Sequence, residues 1–188
     1  LFRLDGRTAL VIGAGSGIGR ESAQALAAHG AHVVAADRAL DTAQETVDMI
    51  QAQDGSAEAF ELDVLDDAAV EAAADRFGGV QVLVFTAATN VRKRMEDYSL
   101  DEFDRVVNLN LRASFQLIRH FGKRFAANGG GSIISFASIR AQVVEPGQGV
   151  YAATKAGLVQ LTKTAAAEYG PQNVRVNVIA PGVVETPL

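Results

Sequence analysis

The sequence predicts an α/β fold in which a doubly wound parallel sheet is covered by helices on both faces. Apolar runs of strand length alternate with longer segments of helical period, and this alternation is typical of parallel sheets. Right-handed crossovers leave few topologies, of which the strand order 3-2-1-4-5-6 is the commonest. No repeat, low-complexity segment or linker interrupts the pattern, so we expect residues 1–188 to form one domain.

Each element follows from a local pattern. The predicted strands are residues 8–13, 32–37, 57–62, 80–87, 132–138 and 174–180. The predicted helices cover about 17–29, 42–53, 68–77, 101–127 and 151–169. Ligands in this architecture bind at the carboxyl ends of the strands near the point where strand order reverses. The loops after strands 1, 2, 4, 5 and 6 are therefore where we expect the functional site.

Charge and composition narrow the classes of partner. The chain has 17 basic and 22 acidic residues, a net charge of −5, and no basic run longer than Arg92–Arg94. Because phosphate binding needs a concentrated basic face, a nucleic-acid partner is disfavoured. The chain has no cysteine, and its three histidines lack metal-ligand spacing. We therefore expect no disulfide and no metal site.

The apolar runs point to a protein that does not enter a membrane. They are much shorter than the roughly 20 residues that a membrane helix needs, and no signal-peptide pattern occurs. We expect no membrane partner and a cytoplasmic location. The chain starts at Leu1 and stops at Leu188 after a strand and turn, so we also expect that a C-terminal part is missing.

A glycine-rich turn, "GAGSGIG", follows the first strand and opens the first helix. It contains Gly13, Gly15, Gly17 and Gly19. Glycines there let the backbone approach a pyrophosphate, whose charge the helix N-terminus stabilises. A tight turn with close helix–strand packing would explain only some of these glycines. The motif favours a nucleotide-binding, or Rossmann, fold.

The end of the second strand carries an acid, Asp37, 18 residues after Gly19. A carboxylate at about this separation accepts hydrogen bonds from the adenosine ribose, and it would repel a 2′-phosphate. Arg38 could favour NADP, but Ser16 stands where a second basic residue could lie. We therefore expect NAD, with NADP as the less favoured cofactor. Asp63 in "LDV" either binds the adenine amino group or belongs to the start of the following helix.

The stretch "GVYAATKAGL" places a phenol and an ammonium on one face of a helix. Tyr151 and Lys155 are separated by four residues, a spacing that makes helical side chains neighbours. Ser138 ends the fifth strand 13 residues before Tyr151. All three would lie at the carboxyl edge of a sheet that already has a nucleotide motif, which favours an acid–base site over a solvated helix start.

Together these motifs resemble those of the short-chain dehydrogenase/reductase family. The resemblance covers essentially the whole chain and rests on "GAGSGIG", "LDV", "LNLRASF", "SFAS", "YAATK" and "PGVVETP", in that order. It implies an oxidoreductase that interconverts a secondary alcohol and a ketone by hydride transfer to or from a nicotinamide.

The resemblance also implies a role for each member of a catalytic tetrad. Tyr151 would be the general acid/base and Lys155 would lower its pKa. Ser138 would hold the substrate oxygen, and Asn110 would support the proton path by orienting Lys155 through water. The implied cofactor-binding residues are Gly13, Gly15, Ser16, Gly17, Ile18, Gly19, Asp37, Arg38, Asp63, Val64, Ala87, Ala88, Tyr151, Lys155, Pro181, Gly182, Val184 and Thr186.

One motif departs from the family pattern. After the fourth strand the family usually carries Asn-Asn-Ala-Gly, whereas this chain has Phe85, Thr86, Ala87 and Ala88. The missing asparagine side chains would have bound the backbone of a neighbouring strand. This loss gives some support to an alternative function, a dinucleotide-binding regulator without turnover. A methyltransferase is disfavoured because it leaves Ser138, Tyr151 and Lys155 without a role.

The predicted helix at 151–169 is small or apolar nearly all round, which is typical of a helix buried on both sides. One face would cover the sheet and the other would meet a second subunit, as in family dimers and tetramers. We expect a homodimer or homotetramer acting on a small-molecule alcohol or ketone. The run "NVRKR" would suit a polar or anionic substrate such as a polyol or sugar acid, but a solvated loop explains these charges better.

Overall fold

Six parallel strands form a single sheet in the computed structural model, which describes residues 2–186. The strands are β1 (Thr8–Ile12), β2 (His32–Asp37), β3 (Ser56–Glu61), β4 (Val82–Phe85), β5 (Gly131–Phe136) and β6 (Val174–Ile179). Their order is β3-β2-β1-β4-β5-β6, which confirms the predicted topology. Leu1, Pro187 and Leu188 lie outside the described residues. The predicted single domain over 1–188 includes these three residues, and the structure describes the rest of it.

Helices connect the strands and cover both faces of the sheet. They are α1 (Gly17–Ala28), α2 (Leu40–Gln51), α3 (Asp67–Arg76), α4 (Leu100–Val107), α5 (Ala113–Ala127) and α6 (Gly149–Tyr169). Asp66 caps α3, because its side chain accepts from the backbone N–H groups of Ala68 and Ala69. In residues 2–186, no helix is long and apolar enough to cross a membrane.

The predicted helix at about 101–127 is helical throughout, but it is not a regular α-helix. A π-helical turn, Asn108–Arg112, separates α4 from α5. Such a turn holds an extra residue, and it occurs frequently at functional sites. Hydrophobic periodicity over a long segment does not detect one extra residue. Asn110, a predicted tetrad member, lies in this turn.

Two apolar layers lie on opposite faces of the sheet, and β1 contributes to both. Leu10 and Ile12 face the layer under α3, α5 and α6, which contains the buried rings of Phe121 and Phe125. Alternate β1 residues face the layer under α1 and α2, which consists mostly of alanine and valine. This alternation follows from the two-residue period of a strand. Because β1 pairs with β2 on one side and β4 on the other, its carboxyl end lies at the point where the strand order reverses.

Candidate active site

The glycine-rich turn brings β1 and α1 into close backbone contact. A Cβ atom on Gly13 would lie 2.6 Å from Thr86 Oγ1, and one on Gly19 would lie 2.7 Å from the same oxygen. Gly13 also has a φ of +83°, which favours glycine. Helix α1 starts without a side-chain cap and has no acid in its first turn. Because its first N–H groups lack intrahelical partners, this helix end is suited to an anion.

The Asp37 carboxylate holds this turn in place. Its Oδ2 accepts from Gly15 N at 3.0 Å, and its Oδ1 accepts from Ala39 N at 3.2 Å. A Cβ on Gly15 would lie 2.9 Å from Asp37 Oδ2, so a larger residue would disturb the contact. Arg20 Nη2 donates to Gly15 O from the other side. Asp37 is half-buried, and a carboxylate with two oxygens can accept further bonds from ribose hydroxyls.

A groove of about 790 Å³ opens beside this turn, at the carboxyl ends of β1, β2 and β4. Twelve of the predicted cofactor residues line it: Gly13, Gly15, Ser16, Gly17, Ile18, Asp37, Arg38, Asp63, Val64, Ala87, Ala88 and Thr186. The remaining lining residues were not predicted to bind a cofactor: Ile12, Ala39, Thr42, Leu62, Leu65, Thr86, Thr89, Arg105, Asn108 and Leu109. The groove therefore has the residues and the helix terminus to hold a dinucleotide.

Six predicted cofactor residues do not line the groove: Gly19, Tyr151, Lys155, Pro181, Gly182 and Val184. Gly19 is buried and permits the close approach of α1 described above. The segment after β6 is bound at Pro181, whose carbonyl accepts from Ile139 N at 2.8 Å. Val184 is 48% exposed. This segment therefore borders the loop that follows Ser138.

Thr86 contacts the backbone at the end of the neighbouring strand β1. The replacement of the family's asparagines was expected to remove such a contact. The Thr86 hydroxyl lies 3.2 Å from Gly13 O and 3.3 Å from Ile12 O, within donating distance of both. Its backbone N–H donates to Ile12 O at 2.9 Å. The loop after β4 thus remains bound to the end of β1. A side chain with one hydroxyl is sufficient for this contact.

Ser138 lies just beyond the end of β5, where a short helical turn, Ile139–Ala141, begins. Its side chain is buried, and Oγ accepts from Arg140 N at 3.1 Å. Because the hydroxyl accepts there, its own proton remains able to donate. Ser138 can therefore offer a hydrogen bond to a substrate oxygen.

Lys155 and Tyr151 lie together in the first turns of α6. Lys155 Nζ donates to Phe136 O, the last residue of β5, at 2.8 Å. The same nitrogen lies 5.6 Å from the centroid of the Tyr151 ring. Lys155 is only 3% exposed, and this burial lowers the pKa of its ammonium from 10.5 to about 8. The structure thus brings Ser138, Tyr151 and Lys155 to the same end of β5.

Asn110 is buried in the π turn and binds the loop after β4. Its Oδ1 accepts from Thr89 N at 2.8 Å, and its Nδ2 donates to Thr89 O at 2.9 Å. The same nitrogen lies 3.2 Å from Thr154 Oγ1, in the helix turn that contains Lys155. The side chain therefore joins the groove wall to α6. The water-mediated contact with Lys155 stays a prediction.

Among residues 2–186, no three histidine, cysteine, aspartate or glutamate side chains lie close enough together to hold a metal ion.

Comparison with known proteins identifies the family. The family model for the short chain dehydrogenase matches residues 7–188. D-threitol dehydrogenase of Mycolicibacterium smegmatis is 40% identical over 191 residues, which cover 100% of this chain and 74% of the relative.

Two solved structures extend the comparison. Gluconate 5-dehydrogenase from Burkholderia cenocepacia, in complex with NADP and tartrate, has a TM-score of 0.91 and 31% identity, covering 98% of this chain and 74% of that one. A second structure is a 7α-hydroxysteroid dehydrogenase complexed with NADH and 7-oxo glycochenodeoxycholic acid. It has a TM-score of 0.92 and 36% identity, and the match covers 98% of this chain and 74% of that one. The protein is therefore a member of the short-chain dehydrogenase/reductase family, an oxidoreductase that acts on CH–OH groups.

Proposed function

We propose that the protein interconverts a secondary alcohol and a ketone with a nicotinamide dinucleotide, using Tyr151 as the general acid/base. One observation carries this proposal: Lys155 Nζ is fixed by Phe136 O and lies against the Tyr151 ring at the end of β5. An ammonium close to a phenol favours the phenolate. Ser138 is at the same strand end, where its hydroxyl can hold a substrate oxygen.

The proposed mechanism assigns each side chain one task. The bound nicotinamide would accept or supply the hydride. During alcohol oxidation, the Tyr151 phenolate takes the proton of the substrate hydroxyl. Ser138 donates a hydrogen bond to the substrate oxygen, and the Lys155 ammonium stabilises the phenolate. In the reductive direction, Tyr151 returns the proton to the carbonyl oxygen. Asn110 supports the proton path by holding the loop after β4 against α6.

Replacement of Tyr151 by Phe tests this assignment. We expect turnover to fall by about 10²–10⁴-fold, because Phe keeps the ring but cannot exchange a proton. The dissociation constant for the dinucleotide should change little. Substantial turnover in Tyr151→Phe would refute the assigned base. If the wild type bound the dinucleotide but turned over no sugar, polyol, hydroxy acid or β-oxoacyl thioester, the function would instead be that of a regulator.

We propose NAD rather than NADP as the preferred cofactor. Asp37 supports this choice, because its carboxylate lies in the groove beside Gly15 and would repel a 2′-phosphate. The exposed Arg38 in the same groove would favour the opposite choice. The related solved structures contain NADP in one case and NADH in the other.

Replacing Asp37 with Asn tests the cofactor assignment. The variant should lower the ratio of kcat/KM for NAD to that for NADP by about fivefold or more, since a charge interaction at a few ångströms is worth at least about 1 kcal/mol. A wild type that prefers NADP would overturn the proposal.

We also propose that the protein forms a homodimer or homotetramer through the outer face of α6. Leu111, Phe115, Gly157 and Leu161 line a shallow groove of about 590 Å³ between the π turn, α5 and α6. Phe115 is 45% exposed, and Gly157 leaves room beside the Leu111 side chain. A second copy of this face would bury these apolar groups.

Sedimentation velocity tests the assembly directly. Wild-type protein at micromolar concentration should sediment as a dimer or tetramer, and Phe115→Glu should shift it towards monomer because a charge would enter the apolar groove. A wild type that is monomeric at this concentration would contradict the proposal.

A further inference from the structure

The first two peptide units of the glycine-rich turn have no free N–H group. In the unit between Gly13 and Ala14, the Ala14 N–H donates to a carbonyl of β2 at 3.0 Å. In the next unit, Ala14 O accepts from Thr46 Oγ1 at 2.7 Å. The N–H of this unit belongs to Gly15, and it donates to the Asp37 carboxylate at 3.0 Å. Neither unit can therefore offer a donor to a ligand without breaking a contact.

The third peptide unit, between Gly15 and Ser16, is held only at its carbonyl end. Gly15 O accepts from Arg20 Nη2 at 2.5 Å. Among residues 2–186, the Ser16 N–H has no acceptor. The peptide bonds of these residues are trans, and in a planar trans unit the C=O and N–H groups point in opposite directions. Because the Gly15 carbonyl points towards Arg20, the Ser16 N–H points away from it.

Ser16 and Arg20 lie on different sides of this peptide unit. Ser16 is exposed and lines the dinucleotide groove, where the first N–H groups of α1 also lack intrahelical partners. Arg20 does not line the groove, and its side chain is 22% exposed. Since the Ser16 N–H points away from Arg20, it is directed to the side where an anion would bind.

Two side chains of α2 hold Arg20 in this position. Arg20 Nη2 also donates to Glu45 Oε2 at 2.9 Å, and Arg20 Nε donates to Thr46 Oγ1 at 3.1 Å. The Thr46 hydroxyl has one proton, which goes to Ala14 O because that contact is much shorter than the 3.3 Å to Thr42 O. Thr46 is 0% exposed, so it cannot touch a ligand. The charge of Arg20 is already paired with a carboxylate.

We propose that Arg20 and Thr46 are positioning residues for the dinucleotide. They hold the Gly15 and Ala14 carbonyls on the α2 side of the turn, so that the Ser16 N–H is directed at the pyrophosphate. This inference rests on the proposed dinucleotide-dependent function and adds to it two residues that do not touch the ligand. Without them, a carbonyl could turn into the groove, where its oxygen would repel an anion and the donor would be lost.

NADH, ADP and adenosine separate this effect from a general disturbance of the groove. NADH binding is measured by fluorescence titration, and ADP and adenosine binding by competition with NADH. In Arg20→Met, the dissociation constants of NADH and ADP should rise by about tenfold or more, the loss expected for one hydrogen bond to a charged group. That of adenosine, which has no pyrophosphate, should change by less than about twofold. At saturating dinucleotide, kcat should stay within about twofold of the wild-type value, since the catalytic groups are unchanged.

Thr46 provides a matched pair of variants. Thr46→Val removes the hydroxyl with almost no change in side-chain volume, and it should weaken NADH and ADP binding about as much as Arg20→Met does. Thr46→Ser keeps the hydroxyl and should have wild-type affinity. Thr162→Val is the control for stability, because it removes another buried hydroxyl, which lies 3.2 Å from Ser135 Oγ. This control should also lower the melting temperature, but it should leave NADH binding unchanged.

Salt concentration distinguishes positioning from direct attraction between Arg20 and the pyrophosphate. Attraction between charges at the surface is screened as salt rises from about 0.05 M to about 0.5 M, whereas a fixed backbone orientation is not. The ratio of the NADH dissociation constants of Arg20→Met and wild type should therefore stay constant over this range. Arg124→Met is the matched control, since it removes a cation that is 18% exposed and pairs with Asp75. It should bind NADH as the wild type does at every salt concentration.

Three results would overturn the inference. Equal losses of affinity for adenosine and NADH would show that the variants disturb the groove as a whole. A loss in Arg20→Met that disappears at high salt, together with wild-type binding by Thr46→Val, would show direct attraction by the charge. Unchanged NADH affinity in both variants would show that the turn keeps its orientation without these side chains.

The proposed function can fail separately. A wild type that binds NADH and ADP but oxidises no alcohol would refute the oxidoreductase function and leave this inference intact, because its test measures binding. A wild type that binds neither ligand would refute both.

Discussion

Burial of Lys155 makes the stability of the protein depend on pH in a specific way. Its pKa is lowered to about 8 in the folded protein, because burial disfavours the ammonium. In the unfolded chain the pKa of this lysine is 10.5. Between pH 8 and pH 10.5, Lys155 is therefore protonated to a greater extent in the unfolded chain than in the folded protein. Stability contributed by Lys155 rises with pH over that window. At 1.36 kcal/mol per pKa unit, the total effect is about 3 kcal/mol.

Lys155→Met isolates this effect, because Met has a similar length and no charge. Relative to the variant, the wild type should gain about 3 kcal/mol in its free energy of unfolding between pH 7 and pH 10.5. At pH 7 the variant avoids the cost of a buried ammonium but leaves Phe136 O unpaired, so the two proteins should be similar in stability there. The variant should have almost no turnover at any pH.

Urea unfolding of the dinucleotide-free protein, followed by far-UV circular dichroism, measures the difference at each pH. Circular dichroism is the suitable probe because the chain has no tryptophan. Lys163→Met is the control, since Lys163 is an exposed lysine of the same helix. We expect no pH-dependent divergence for this control. Stability curves of wild type and Lys155→Met that stay parallel from pH 7 to pH 10 would refute the argument.

Two further predictions concern close packing and the loop after β4. Gly131→Ala should lower stability by about 2 kcal/mol, because its Cβ would lie within 2.8 Å of three carbons of the buried Phe125 ring. Gly79→Ala has open space around it and should change stability little. Equal urea midpoints for the two variants would contradict this. Thr86→Val should cost about 1 kcal/mol by removing the hydroxyl contact with Gly13 O and should weaken dinucleotide binding, as measured by NADH fluorescence titration. Thr86→Asn, which restores the family residue, should bind the dinucleotide as the wild type does, and equal binding by the Val variant would show that this contact is dispensable.

The sequence predicted the parts of the fold that depend on local periodicity. Alternating strand and helix patterns, together with the handedness of crossovers, were sufficient for the sheet order. Ser138 and Lys155 could be predicted to lie close together, because β5 ends and α6 begins at the same edge of the sheet. Asp37 could be placed in the groove for the same reason, since β2 ends beside β1.

The contacts that the sequence did not predict join segments far apart in the chain. Asn90 and Gln148 are separated by 58 residues, and nothing in their local sequences marks them as partners. Thr86 contacts Gly13 across 73 residues. The π turn around Asn110 inserts one residue without changing the apolar character of the segment. Such features depend on how loops pack, and local periodicity carries no information about that. The cytoplasmic location stays a prediction.

The two apolar layers should differ in the substitutions that they tolerate. The layer under α1 and α2 consists mostly of alanine and valine. Substitution by smaller residues would remove few methyl groups there, and the close packing leaves little room for larger side chains. The opposite layer contains Phe121 and Phe125, whose truncation would leave large cavities. In a complete mutational scan, the layer under α1 and α2 should reject larger residues, while the layer under α5 should reject smaller ones. Attempts to raise thermostability by filling space are therefore best directed away from α1 and α2.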